Sequence, residues 1–133
     1  MLRISKLTDY SIVVMGYFAR EPDRIHNARD IVTETHISLP TISKILKRLS
    51  KGGLLRSHRG TKGGYTLILN PADISLAHIL SAIDGKLALT ECSAEGSHCA
   101  IETVCHLRHQ WPSVSQIVYT AFQKIKLPDM LRG

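Results

Sequence analysis

Three cysteines occur in this chain of 133 residues, all within TECSAEGSHCAIETVCHL at positions 90–107. Thiolates are nucleophiles, redox groups and metal ligands, so a polar segment that gathers them is a candidate chemical centre. The spacing is Cys92-x6-Cys99-x5-Cys105. It is neither the C-x2-C pair of a zinc ribbon nor a redox C-x-x-C, and an odd count excludes a complete disulfide framework. Longer gaps suit a loop wrapped around something larger than one ion, and iron–sulfur clusters take thiolates as their usual ligands. A fourth ligand must then be of another residue type. Glu91, His98, Glu102, His106 and His109 lie nearby; an acid or histidine from elsewhere in a dimer is the distant choice. Structural zinc on three cysteines and a histidine, or three free thiols forming a disulfide switch, use the same residues.

The charge has its own geography. Residues 1–70 carry 12 Lys/Arg against 5 Asp/Glu, and residues 71–133 carry 5 against 6, which together give the net +6 of the chain. Between Thr41 and Lys62 stand Lys44, Lys47, Arg48, Lys51, Arg56, Arg59 and Lys62 with no acid among them. Such a block predicts a polyanionic partner; a solvated basic face is the plainer alternative. The hydrophobic fraction of 44% and the length fit one soluble globular domain with its own core. No signal-peptide pattern and no run of roughly 20 apolar residues is found, so the expected compartment is the cytosol and no membrane is expected.

These residues need elements to hold them. Leu7, Tyr10, Val14 and Phe18 recur at helical spacing and predict a helix over Lys6–Arg20. Asn27 reads as the N-cap of a short helix carrying Ala28, Ile31 and Val32. A turn at Thr35-His36-Ile37 leads to Ser38, a second N-cap, with Pro40 tolerated in the first turn. Ile42, Ile45, Leu46 and Leu49 then form an apolar stripe that leaves most of the basic side chains toward solvent. Leu54–His58 and Tyr65–Leu69 read as strands joined by RGTKGG, a hairpin with Arg59 and Lys62 at or near its tip. Ser75 caps another short helix ending near Gly85. A long amphipathic helix is predicted from about Thr103 to Lys124, burying Leu107, Val114, Ile117, Val118, Ala121 and Phe122, with Pro112 either kinking it or starting a second helix.

Two short helices at a tight turn, the second basic, followed by a basic hairpin, define a winged helix-turn-helix in a mainly α fold. The polar start of the Ser38–Ser50 helix suits a major groove, with Ser38, Thr41, Ser43 and Lys44 toward base edges. Lys47, Arg48 and Lys51 are better placed for phosphates, and Arg59 and Lys62 on the wing for the minor groove and its backbone. Double-stranded DNA is the expected partner.

The segments LRISKLTDY, ISLPTISKILKRLSKGGLL and RGTKGGY, with the three-cysteine loop, give the chain a resemblance over nearly its whole length to the Rrf-two family of bacterial winged-helix regulators, which includes the IscR and NsrR sensors. The opening MLRISKLTDY and the ALTEC run look most like the subgroup that regulates the SUF iron–sulfur assembly operon. The resemblance implies a two-stranded wing, a cluster loop, and a homodimer paired through the long C-terminal helix. It divides one compact domain into a DNA-binding region at 1–71 and a cluster-binding and dimerisation region at 72–133. It further implies a 2Fe–2S or 4Fe–4S cluster on Cys92, Cys99 and Cys105. The IscR-like pattern has a histidine three residues after the last cysteine, where this chain has Arg108. The NsrR-like pattern uses an aspartate of the other subunit, matched here by Asp9, with His106 and His109 in reserve.

The resulting expectation is a cluster-sensing, redox-responsive transcriptional regulator or repressor, not an enzyme, that binds an operator according to oxygen, nitric oxide or iron status. A zinc- or thiol-based regulator without iron is the alternative. An electron carrier leaves the basic block without a job, and no G-x-G-x-x-G motif offers a second cofactor.

Overall fold

A computed structural model describes residues 2–132. Its elements run α1 (Lys6–Arg20), α2 (Ala28–Thr35), α3 (Leu39–Lys51), β1 (Leu55–His58), β2 (Gly64–Leu67), α4 (Leu76–Asp84), α5 (Trp111–Gln123) and α6 (Leu127–Met130), with 3-10 turns at Pro71–Asp73 and Glu91–Ser93. Side-chain capping explains three of the six α-helix starts. The side chains of Ser5, Asn27 and Ser75 accept from Thr8 N, Asp30 N and His78 N, each satisfying one N–H that a helix start leaves open.

The core is built from the faces these helices turn inward. Val14, Met15 and Phe18 of α1, Ile31 of α2, and Ile42, Ile45, Leu46 and Leu49 of α3 are buried together with Leu54, Leu55, Ile74, Ile79, Ile83 and Leu127. Residues from both the first and the last thirds of the chain therefore share one core. The predicted α3 stripe is the buried side of that helix.

The wing is an antiparallel pair in the register Leu55↔Leu67, Arg56↔Thr66, Ser57↔Tyr65 and His58↔Gly64, a little shorter than its apolar runs. It is fastened to the body by His26, which exchanges both backbone hydrogen bonds with Tyr65 at 2.9 and 2.8 Å. The His26 ring is buried, edge-on to Tyr17 and Phe18, with Nε2 3.0 Å from Glu21 O. Gly64 sits where this clamp closes: a Cβ there would overlap the His26 carbonyl. Gly64→Ala is therefore expected to cost about 3 kcal/mol in urea unfolding. Gly60→Ala, at φ 109° in open space, should cost only about 1 kcal/mol.

Beyond residue 102 the structure departs from the sequence-based expectation. The long helix does not begin near Thr103; residues 101–110 run in turns, and α5 spans Trp111–Gln123. Pro112 does not kink a helix; as in the other alternative it stands at a helix start, in the first turn of α5, where a missing N–H costs no intrahelical bond. The expected buried face also differs. Leu107, Val114 and Ile117 are exposed by 52%, 39% and 71%, Ala121 is exposed too, and only Val118 and Phe122 are half-buried. One side of α5 packs on α4, and the apolar stripe points away from the body. After α5 the chain returns: Leu76 N donates to Ile125 O and Leu127 N to Ile74 O, both at 2.8 Å, which seats Leu127 in the core. No helix among the described residues is long and apolar enough to cross a membrane.

Candidate nucleic-acid interface and cysteine loop

Helix α3 begins unlike α1, α2 and α4. Ser38 occupies the N-cap position predicted for it, yet its side chain makes no capping bond. Its hydroxyl donates instead to Thr41 Oγ1 at 2.9 Å. Two of the expected base readers thus hold each other, with Ser38 exposed and Thr41 half-buried. Ser43 is half-buried beside them, and Lys44, Lys47 and Lys51 are exposed along the outer side of the helix. Leu39 and Pro40, not named among the expected DNA contacts, also stand exposed at this first turn. Pro40 falls off the Ile42–Leu49 stripe, whereas Leu39 is in helical register with it, three residues before Ile42 and seven before Leu46. On the wing, Arg56, Arg59 and Lys62 are exposed.

Among the described residues, none of the seven cations between 41 and 62 forms an ion pair. A solvated surface usually intersperses charges of both signs. Here the cations remain unneutralised, which leaves them free to replace counterions along a phosphate backbone.

Arg48 is different from its neighbours. Its Nη1 donates to Ile83 O at 2.8 Å and the residue is half-buried, so one of its donors is committed to α4. Ile83 lies in the last turn of that helix, where carbonyls lack intrahelical partners and a cation is favoured.

The cysteine segment follows α4. Cys92, Cys99 and Cys105 are all free thiols, each half-buried. The Thr90–Ser93 turn of this loop is held by its own side chains: Thr90 Oγ1 lies 3.2 Å from Cys92 Sγ, and Ser93 Oγ donates to Thr90 O at 2.9 Å. Of the other candidate ligands, Asp9 is exposed in the first turn of α1, while Glu91, His98, His106 and His109 are exposed on the loop. Glu102 is occupied by Arg108 at 3.2 Å and His98 at 3.7 Å. By type this donor set suits an iron–sulfur cluster. By position it does not close one: no three Cys, His, Asp or Glu side chains come together for a metal among the described residues of the single chain.

A basic recognition helix beside a basic wing, on a helical core, is the architecture of a DNA-binding transcriptional regulator. The chain belongs to the Rrf2 (Rrf-two) family, described as "Iron-dependent Transcriptional regulator", which matches residues 4–133. Its relatives are regulators rather than enzymes. The HTH-type transcriptional regulator NsrR of Bacillus subtilis is 27% identical over 134 residues, covering 99% of this chain and 92% of that protein. The protein rrf2 of Nitratidesulfovibrio vulgaris is 29% identical over 104 residues, 78% of this chain and 69% of that one. Among solved structures, the global cysteine regulator CymR of B. subtilis superposes with a TM-score of 0.71 at 23% identity, covering 98% of this chain and 96% of that one. IscR of T. potens superposes with a TM-score of 0.66 at 25% identity, covering 98% and 86%.

Proposed function

We propose that this regulator senses an iron–sulfur cluster, and that its targets are iron–sulfur assembly genes of the SUF type. The observation that carries the sensing is the placement of three free, half-buried thiols on one loop between the DNA-reading elements and α5. The target rests on the resemblance of MLRISKLTDY and ALTEC alone. Cys92, Cys99 and Cys105 ligate iron as thiolates, and Asp9 of a second copy completes the set, with His106 and His109 as reserves. A carboxylate is a harder, more exchangeable ligand than a thiolate, which suits a responsive site. When bound, such a cluster supplies a redox couple and a point of attack for oxygen or nitric oxide. Because the lone chain does not gather its donors, ligation requires the 86–110 segment to fold differently from its arrangement here.

Ser38, Thr41, Ser43 and Lys44 read bases; Lys47, Arg59 and Lys62 hold phosphates or the minor groove. The exposed stripe of Val114, Ile117 and Ala121 on α5, with Ile101, Val104 and Leu107 before it, pairs two copies. A homodimer would fix the spacing of two recognition helices on an operator.

The test is substitution at the thiols. Cys92→Ala, Cys99→Ala and Cys105→Ala are each expected to abolish iron-dependent visible absorbance and to change operator affinity by about fivefold or more. Equal affinity of loaded and stripped wild-type protein would end the sensing reading while leaving DNA binding untouched. The observation that bears on a second reading, a thiol-based regulator, is that Cys92, Cys99 and Cys105 are free, half-buried thiols. Absence of iron, with a reversible effect of oxidants on DNA affinity, would select it.

A further inference from the structure

The last turn of α4 joins three parts of the molecule that lie far apart in sequence. At Ile83 the carbonyl accepts from Arg48 Nη1 of the recognition helix at 2.8 Å. At the next residue, Asp84 Oδ2 accepts from Ser5 Oγ at 2.8 Å and from Thr8 Oγ1 at 2.7 Å, both of α1's start. Thr8 is fully buried, so its hydroxyl depends on that carboxylate. Gly85, at φ 82°, then breaks the helix and the chain enters the cysteine loop, with Cys92 eight residues beyond Asp84.

Two of these three bonds are part-buried, and the Ser5–Asp84 bond is exposed. A carboxylate at a helix C-terminus is disfavoured by the helix dipole, and at Asp84 two hydroxyls offset that repulsion. Ser5 is shared, since the same oxygen that donates to Asp84 accepts the capping bond of Thr8 N at 3.1 Å. The approach of α3 to α4 is also tight here: a Cβ on Gly52 would lie 2.6 Å from the Ala82 Cβ. Close-packed contacts of this kind shift as a unit rather than deform smoothly.

We infer that Arg48 and Asp84 are positioning residues, and that the Ile83–Asp84 turn is the junction through which the conformation of the cysteine loop sets the placement of the recognition helix against α1. This rests on the regulator reading and deepens it. Movement at residues 85–92 pulls on a turn that holds α3 by one residue and α1 by the next. Arg48 thereby acts on DNA through α3 rather than by touching phosphate.

The experiment uses the full-length reduced protein and N-ethylmaleimide as the loop probe. Cys92 Sγ is 3.2 Å from Thr90 Oγ1, so a bulky adduct must displace the Thr90–Ser93 turn. Hydrogen exchange is read by mass spectrometry before and after alkylation. In the wild type, amides of 45–52 should change their exchange rate by about fivefold or more, while those of 28–35 stay as they were. In Arg48→Met, with all three thiols still alkylated, the α3 response should disappear. The double variant Ser5→Ala, Thr8→Val cuts the other arm, so the response of α1 should disappear while that of α3 persists; this variant serves alone if Arg48→Met does not fold. An unresponsive α3 in the wild type, or a response surviving in Arg48→Met, overturns the junction. Failure of the cluster reading is separate: it would show as protein without iron or sulfide whose exchange coupling is intact.

Discussion

The triple variant Lys47→Gln, Lys51→Gln, Lys62→Gln is expected to bind duplex DNA about two to three orders of magnitude more weakly near 0.1 M salt, and to lower the slope of log affinity against log salt by about 3. The argument starts from unneutralised charge. These three lysines are exposed, none forms an ion pair among the described residues, and each sits on α3 or the wing. Each phosphate contact releases close to one counterion, so their removal should act additively and on all sequences alike. Fluorescence anisotropy over a salt series on random-sequence and operator duplexes reads both quantities. The fold should survive, because no lysine of the three contributes to the core. An affinity unchanged within about threefold, with the same slope, would place the DNA on another face.

Phe18→Ala should have the largest effect on stability, a loss of about 3–5 kcal/mol. Total stability for a domain of this size is about 5–15 kcal/mol, so much of the margin goes. Phe18 is fully buried within the α1 face, and its ring lies 5.1 Å from that of His26. Truncation removes the surface on which His26 rests, and the His26 backbone carries both hydrogen bonds to Tyr65 of the wing. The variant should therefore melt lower by roughly 10–20 °C and lose wing order before its helices. Val13→Ala on the same helix, at a position 48% exposed, is the control and should cost under about 0.5 kcal/mol. Equal losses in the two variants would mean that α1 does not face the core as described.

The DNA-reading half was legible in the sequence because its signals are local. A 3.6-residue stripe separates buried Ile42, Ile45, Leu46 and Leu49 from exposed lysines, and capping residues mark three helix starts. Family likeness and charge then agreed on what the surface does. The C-terminal half was harder for physical reasons. Leu107, Val114 and Ile117 are spaced as a helix would space them, yet Leu107 lies in a turn and all three face outward. Periodicity reports that a face is apolar, not which surface covers it. The closing turn at Leu127 escaped notice because its place is set by backbone pairing with Ile74, which leaves no mark in composition. The bond of Arg48 to α4 was hidden for a similar cause: its partner is a main-chain carbonyl 35 residues away, invisible to any reading of side-chain types. The cysteines show the same division. Identity and spacing name them as candidate ligands, whereas the lack of a gathered donor set among the described residues leaves no mark in the sequence.

The most direct test of the sensor account is iron and acid-labile sulfide content, measured with the visible spectrum on protein purified without oxygen. The account predicts brown protein with stoichiometric iron and sulfide, lost on substituting any one of Cys92, Cys99 and Cys105. Colourless protein that takes up zinc, or that holds no metal after reconstitution with iron and sulfide, would contradict it.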